Sequence, residues 1–321
     1  MRVLWILVAV VLPGLAQADG ELFAVRDQNP LIRGAYLPLP GTNARGGSDW
    51  SLAAGIQWTN TVNIEQTPRE QLLVDEESLE LDLRLEHSRG PWQFRATLPV
   101  INRGPGILDR PIENWHRFFG LPNGDRPYRW RNAYAIDYAR AGSSGVDAPR
   151  GTALGDLALE GGRVLLEGDD RRVGLWGGLE APTGNRARLD GNGALDAALW
   201  LEAGTALGTA FSLEGRAGVS HPGGGTPLPV ARGVGFGTLA LSWHATPRLD
   251  ASLQFDAHGA VARGSELKFL DRAVFVTFGG RYRLASGSVV EVGVAEDIEV
   301  DHSPDVTFHV GMRWPVGVAR H

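Results

Sequence analysis

The sequence predicts an all-β fold, namely a transmembrane antiparallel β-barrel of about 12 strands with a long external loop that holds a short helix. Three observations lead to this prediction: an export signal at the amino terminus, strict alternation of apolar and polar residues, and connections that are alternately short and long. The chain has 321 residues and no cysteine. One large β domain fits this length, and the exported fold needs no disulfide.

The first residues are laid out like a secretion signal. Arg2 precedes the apolar run 3–12, and Ala16 and Ala18 supply the small residues that a signal peptidase requires. We therefore expect a cleaved signal peptide over residues 1–18. No other stretch approaches the roughly 18 apolar residues of a membrane helix. An exported membrane form of this chain must then be a closed barrel, because only helices and closed barrels satisfy their backbone hydrogen bonds in lipid.

The composition excludes several classes of protein. Hydrophobic residues make up 43% of the chain, which argues against a disordered protein and against a bundle of membrane helices. The net charge is −6 and the basic residues are scattered singly, so we expect no nucleic-acid partner.

Period-two alternation marks the strands. Leucines 79, 81, 83 and 85 share one strand face, while the acidic and basic residues between them share the other, and the stretch 249–258 divides in the same way. The predicted strands are 51–61, 73–87, 91–101, 153–166, 172–181, 194–204, 209–219, 234–246, 248–258, 272–284, 288–298 and 305–314. Tight turns near 88–90, 168–170, 206–208, 246–247 and 285–287 separate longer loops. Short periplasmic turns and long external loops are typical of outer-membrane barrels.

Strand-end aromatic residues and one irregularity complete the barrel prediction. The residues Trp58, Trp92, Trp243, Tyr282 and Trp314 are placed for interfacial girdles, although tryptophans can also be core residues. Alternation fails at Gly161-Gly162-Arg163, where a charge would face lipid unless a glycine bulge resets the register. We expect the barrel to span 50–314, followed by a tail over 315–321.

The chain resembles the uncharacterised bacterial barrel family catalogued as domain of unknown function 3187. The resemblance rests on the segments 26–31, Asp109, 112–122, Gly155-Asp156 and Pro182-Thr183-Gly184. It implies a location in the cell outer membrane of a Gram-negative bacterium and no agreed activity. Outer-membrane lipid, and the barrel assembly machinery during biogenesis, are the partners this location implies.

The long connection 102–152 holds the candidate ligand or gating residues, which are Asp109, Glu113, Trp115, His116, Arg117 and Phe119. Residues 112–119 could form two helical turns with Ile112, Trp115 and Phe119 on one stripe. The stripe would dock a helix folded into the barrel mouth, or contact a ligand. His116 and Glu113 lack further ligands at metal-binding spacing, so we expect no metal and no cofactor.

The inward strand faces carry both charge signs. The candidate lumen-lining residues are Glu80, Asp82, Arg84, Arg95, Glu214, Arg216, Asp250, Asp256, Arg281 and Arg283. They could close the interior with salt bridges or line a narrow hydrated channel. The segment 19–49 could plug the lumen from the periplasmic side, or be a disordered leader.

These features favour a passive channel or uptake barrel for a small solute, gated by the long loop and by the amino-terminal segment. The alternatives are a barrel enzyme acting on envelope lipid and a structural or assembly barrel. Ser220 and His221 are adjacent on a strand and so point to opposite faces, and the chain has no Gly-x-Ser-x-Gly turn. The sequence therefore gives no catalytic residue.

Overall fold

The computed structural model describes residues 21–41, 49–120, 122–141, 145–224, 228–299 and 301–316. The predicted signal peptide, 1–18, and most of the predicted tail lie outside these residues. The strands are β1 Asp49–Gln66, β2 Glu70–Arg89, β3 Trp92–Gly104, β4 Ala135–Arg140, β5 Val146–Asp147, β6 Gly151–Leu154, β7 Leu157–Glu167, β8 Arg171–Ala181, β9 Asp196–Leu207, β10 Phe211–His221, β11 Val234–His244, β12 Leu249–His258, β13 Ala273–Arg283, β14 Val289–Asp297 and β15 Val306–Val316. The described residues contain one α-helix, α1 Asp109–Phe119, and three short 3₁₀-helices at Arg126–Tyr128, Arg186–Arg188 and Lys268–Leu270.

Twelve of these strands close into an antiparallel barrel, as predicted. Each long strand pairs with the next, and β15 returns to β1 with Phe308 opposite Trp58. Closure leaves no unpaired sheet edge in the wall. The three short strands extend this wall: β4 pairs with residues 70–75 of β2, β5 pairs with β4, and β6 pairs with β3.

Side chains alternate between the two surfaces of the wall. Along β12 every second residue is exposed on the outer surface, from Leu249 to Ala257, and every other residue is buried inside, from Asp250 to His258. Apolar side chains outside and polar ones inside are the pattern of a barrel in lipid. The ten residues of β12 match the 9–11 that a tilted strand needs to cross a bilayer.

The two ends of the barrel differ. At one end, here called the short-turn end, the connections near 90–91, 168–170, 208–210, 245–248 and 284–288 are brief, and β1 begins and β15 ends there. The opposite end, here called the loop end, carries the long connections. The sequence predicted a long link between the first two strands, but β1 and β2 continue into a hairpin closed at 67–69. This hairpin rises above the wall and supports β4.

No glycine bulge resets the register at Gly161-Gly162, so Arg163 faces outward, which is the first of the two alternatives that the sequence left open. The pairing of β7 with β8 runs unbroken through Val164 and shifts only between Val164 and Leu166. Gly162 instead makes room in the lumen for the indole of Trp176, because a Cβ there would fall 2.2 Å from the ring. Arg163 faces outward near the short-turn end, with its guanidinium carbon 5.5 Å from the centre of the Trp92 ring. From the rim the long side chain can reach water.

No helix in the part of the chain that the structure describes is both long enough and apolar enough to cross a membrane.

Candidate functional site

Residues 21–41, here called the luminal segment, lie inside the barrel. Glu21 begins the segment near the short-turn end, where its carboxylate accepts from Arg313 at 2.5 Å. A turn over residues 29–35 lies at the loop end. The chain then runs back to Pro40, whose carbonyl accepts from Arg84 at 3.3 Å. The segment therefore fills the interior as two limbs joined by a turn.

The ascending limb is held by charged groups. Arg26 donates to Glu80 at 2.7 Å and 3.1 Å, and Asp27 lies 2.9 Å from Nε2 of His258. Arg33, in the turn, comes within 3.4 Å of the second Glu80 oxygen. Both wall groups, the Glu80 carboxylate and the His258 ring, are buried. Burying a charge is costly unless it is paired, so the segment and the wall neutralise each other.

The descending limb is anchored by Tyr36. Its phenol donates to Glu160 at 3.0 Å, its backbone N–H donates to Asp196 at 3.0 Å, and its carbonyl accepts from the hydroxyl of Ser220. The ring packs in a cluster with Trp176, Trp200 and Phe236, which all point inward. The two indoles stack at 6.0 Å, and Arg95 lies 3.8 Å above the ring of Trp176.

An apolar cap closes the loop end over the turn of the luminal segment. It consists of Leu31, Ile32, Ala35, Leu72, Val74, Ile136, Tyr138, Ala148, Leu189, Leu228, Val234, Val261, Ala262, Leu267, Phe269 and Leu270. The side-chain amide of Asn29 donates to the Phe269 carbonyl at 2.5 Å and ties the turn to the loop after β12. Burial of these side chains holds the external loops and the luminal segment together.

The two short motifs of the family resemblance meet beside this cap. The Thr183 hydroxyl donates to the Gly155 carbonyl at 2.8 Å, and Asp156 accepts from the backbone of Gly184 at 2.7 Å and of Asn192 at 3.1 Å. Asn192 also donates to Asp196, which holds Tyr36. The motifs therefore fasten the loop after β8 to the wall that anchors the luminal segment.

All ten candidate lumen residues lie on the inward face. Glu80, Asp82, Arg84, Arg95, Glu214, Arg216, Asp250, Asp256 and Arg281 are buried, and Arg283 is partly exposed near the short-turn end. Several pair across neighbouring strands, as Arg95 does with Glu160 at 3.5 Å and Arg283 with Asp250 at 3.1 Å. The wall thus closes part of the interior with its own ion pairs.

Several luminal residues were not predicted. Arg26 and Tyr36 precede the first strand, where no periodicity indicates which wall residues they meet. Trp176 and Trp200 were not assigned to the lumen, although the strand phase set by Leu175 and Leu201 turns each of them inward. The alternation along β8 and β9 could therefore have predicted that both tryptophans face the lumen.

Cavities remain between the luminal segment and the wall. One has about 480 Å³ of unfilled space, including space open to solvent, and is lined by Glu21, Arg84, Glu291 and Arg313 among others, towards the short-turn end. A second, of about 300 Å³, lies beside Arg216 and the buried ring of His258. The polar groups that line these spaces can hold water.

Helix α1 lies outside the barrel, so the expectation that it folds into the mouth was wrong. Ile112 packs with Leu108 against Val306, and Trp58 and Phe308 flank this contact. On the outward face of β14, Glu296 accepts from the Trp115 indole at 3.0 Å. Gly120 ends the helix with φ 73°, a left-handed conformation that glycine adopts without strain. The helix packs outside the barrel because Val306, Trp58 and Phe308 form an apolar patch on the outer wall.

The six loop candidates do not line the lumen. Asp109 accepts from Asn60 and Arg126 at the wall, and His116, also buried, has its Nε2 3.9 Å from a Glu296 oxygen. Burial, with the nearby Arg126 guanidinium, lowers the pKa of His116. Of the remaining four, Trp115, Arg117 and Phe119 are exposed and Glu113 is partly exposed.

The predicted docking stripe was only partly right. Ile112 is buried, but its companions on the buried side are Asp109 and His116, while Trp115 and Phe119 are exposed. Glu113 pairs with Arg131 at 2.6 Å, and this hydrogen bond lowers the pKa of the Glu113 carboxyl.

Ser220 and His221 point to opposite faces of β10. Ser220 is buried in the lumen against Tyr36, whereas His221 is exposed and its Nδ1 contacts the Arg232 carbonyl. The two side chains therefore do not act together.

The wall and its contents define the class of this protein: a 12-strand barrel of the outer-membrane type, wound around its own amino-terminal segment. The chain belongs to the family described as protein of unknown function DUF3187, whose model matches residues 2–315. A search of curated proteins finds no match.

Solved structures with a similar fold include outer-membrane channels. The COG4313 outer membrane channel from Pseudomonas putida F1 aligns with TM-score 0.56 and 12% identity, covering 88% of this chain and 97% of that one. The NanC porin aligns with TM-score 0.47 and 8% identity over 83% and 100% of the two chains. The toluene transporter TbuX of Ralstonia pickettii aligns with TM-score 0.42 and 8% identity over 92% and 100%. Of these three, the COG4313 channel has a TM-score above 0.5, and its similarity supports the barrel fold.

Proposed function

We propose that this protein is a passive channel or uptake barrel for a small solute in the cell outer membrane, and that displacement of the luminal segment opens it. The observation that carries the proposal is that a separate stretch of chain, residues 21–41, fills the part of the interior that the wall's own side chains leave open. On this proposal the chain reaches the membrane after cleavage of the signal peptide 1–18 and assembly by the barrel machinery.

The contacts of the luminal segment support its displacement. Side-chain hydrogen bonds and ion pairs, such as those of Arg26 and Asp27, join it to the wall, and no strand pairing involves residues 21–41. Each such hydrogen bond to a charged group contributes about 1.5–3 kcal/mol net, because water can replace the partner that is lost. The wall pairs along its whole length and can stay closed while the segment moves.

The lining suits a polar or amphiphilic solute. Acidic and basic side chains share the lumen with the aromatic rings of Trp176, Trp200 and Phe236. Charged groups of both signs keep a pathway hydrated without strong selection for one ion charge. The aromatic rings add an apolar strip to the same pathway.

A reversible cross-link tests the proposal. The natural chain has no cysteine, so Asp27→Cys with His258→Cys introduces one thiol on the luminal segment and one on the wall. A short bifunctional, disulfide-forming thiol reagent should abolish single-channel conductance of the refolded protein, and reduction should restore it. The matched control is Ser242→Cys with Ser252→Cys, whose hydroxyls lie 2.7 Å apart on neighbouring wall strands. Cross-linking this wall pair should leave conductance unchanged.

A deletion gives the decisive result. The chain that lacks residues 21–41 should conduct continuously in a planar bilayer. A deleted barrel that folds, as judged by its β-sheet circular dichroism, and still passes no ions would overturn the channel proposal.

A further inference from the structure

The long loop between β3 and β4 carries several exposed aromatic rings. Phe118, Tyr128 and Trp130 are 81%, 80% and 87% exposed, and Trp115 and Phe119 are also exposed. Trp115 lies 4.5 Å from Phe119, which lies 4.8 Å from Phe118. The three residues in contact, Trp115, Phe118 and Phe119, are here called the aromatic face. An exposed apolar patch of this kind indicates a contact with another apolar phase.

The aromatic face continues the lipid-facing surface of the barrel. On β1, the outward side chains Trp50, Leu52 and Ile56 are exposed, and the next large one, Trp58, lies against α1. The stretch from Trp50 to Trp58 rises about 20 Å, at ~3.3 Å per residue and a strand tilt of about 40°. The apolar band of such barrels is about 25 Å tall. Helix α1 therefore lies at the upper boundary of the lipid-facing band, on the loop end.

Two cations lie on the same helix. Arg110 and Arg117 are exposed, and no ion pair joins either of them to a residue that the structure describes. The other arginines nearby are paired, Arg126 with Asp109, Arg129 with Asp75 and Arg131 with Glu113. Arg110 and Arg117 are two helical turns apart, about 10 Å along the axis, and so share one side of α1.

We propose that the aromatic face and these two arginines bind the phosphorylated glycolipid of the outer leaflet, lipid A. Aromatic rings are favoured at the boundary between hydrocarbon and headgroups, and cations are attracted to the phosphates above it. The long loops of such barrels face outward, which places α1 in the outer leaflet. Lipid A carries a phosphate at each end of a disaccharide, so two cations that lie about 10 Å apart along one side of a helix can each meet one of these phosphates. The inference rests on the fold and not on the proposed channel.

Spin-label depth tests the position of the aromatic face. A nitroxide on Phe118→Cys, in a membrane containing lipid A, should collide mainly with oxygen, as a label on the lipid-facing Leu253→Cys does. A label on Ser286→Cys in an exposed turn should collide mainly with a water-soluble nickel complex. A Phe118 label as open to nickel as the Ser286 label, or shielded from both reagents as in a protein contact, would overturn the proposal.

Charge removal tests the ligand. In native mass spectrometry, Arg110→Gln with Arg117→Gln should retain diphosphorylated lipid A about 30-fold less well, since each cation near an anionic surface contributes a factor of about five. The matched control, Arg89→Gln with Arg248→Gln, removes two exposed arginines at the short-turn end and should retain it normally. Equal retention by both variants, or an equal loss with phosphatidylglycerol as the probe, contradicts the assignment to lipid A. Conductance should be the same in both variants, so this test is separate from that of the channel.

Discussion

Gly178 is the residue that leaves space for the phenol of Tyr36. It lies on the inward face of β8, and a Cβ there would fall 2.2 Å from the Tyr36 hydroxyl. Gly178→Ala should displace the ring and weaken the hold on the luminal segment by about 1–3 kcal/mol, the usual cost of overpacking. Single-channel recordings should then show more frequent opening than in the wild-type barrel.

The control for this substitution lies on the neighbouring strand. Gly161 faces outward on β7, and a Cβ there would lie 3.7 Å from the Phe94 ring, an ordinary contact. Gly161→Ala should therefore behave as wild type. Indistinguishable recordings from the two alanine variants would show that Tyr36 does not hold the segment.

Two arginines that both stack on tryptophan show how the surroundings decide a residue's role. Arg95 lies 3.8 Å from the Trp176 ring, is buried, and meets Glu160 and Glu202. Arg163 lies 5.5 Å from Trp92 on the exposed outer rim. The sequence predicted Arg95 in the lumen from the alternation of β3, but it could not predict which carboxylates meet it, since these come from strands far along the chain.

Among the elements, β12 was predictable and the position of α1 was not. The alternation along 249–258 fixes both faces of β12 without knowledge of its neighbours, because period two is a property of the strand itself. The sequence also predicted a short helix within the long loop. Its docking partners, Trp58, Val306 and Glu296, belong to three different strands, and no local pattern indicates that the helix turns outside the wall.

The docking of α1 should depend on pH through His116. Its pKa is lowered in the folded protein by burial and by Arg126, so the docked helix favours the neutral ring. Stability from this group is present above the ordinary pKa of about 6.5 and is lost as the pH falls through and below it. We expect a spin label on Asn114→Cys, which is exposed on α1, to become more mobile between pH 7.5 and pH 5.

Two variants identify the group that titrates. His116→Gln cannot take up a proton and should abolish the pH dependence. Glu296→Gln removes the carboxylate that faces His116 at 3.9 Å but keeps an acceptor for Trp115, and should retain the dependence. A label whose mobility still changes with pH in His116→Gln would assign the transition to another group.

At the scale of the whole molecule, the barrel combines a self-sufficient wall with an interior that is not. The wall is closed by backbone pairing. Buried polar groups of the lumen, in contrast, gain hydrogen-bond partners from Arg26, Asp27 and Tyr36 of the luminal segment. Composition and alternation predict the wall. The sequence could not predict the two-limbed path of the luminal segment, because its contacts join residues that are far apart in the chain, such as Asp27 and His258.

The cost of placing a charge on the outer surface of the barrel should depend on its depth in the membrane. Leu253 lies in the middle of β12 and Leu249 at its short-turn end, and both face outward with similar exposure. Leu253→Arg should lower the free energy of unfolding in lipid vesicles by about 2–4 kcal/mol, and Leu249→Arg by only about 0–1 kcal/mol, because the cost of a charge on the lipid face depends on depth. Urea titration followed by tryptophan fluorescence measures both values. If the surface faced water instead, neither arginine would be buried in hydrocarbon and the two variants would unfold like the wild-type protein.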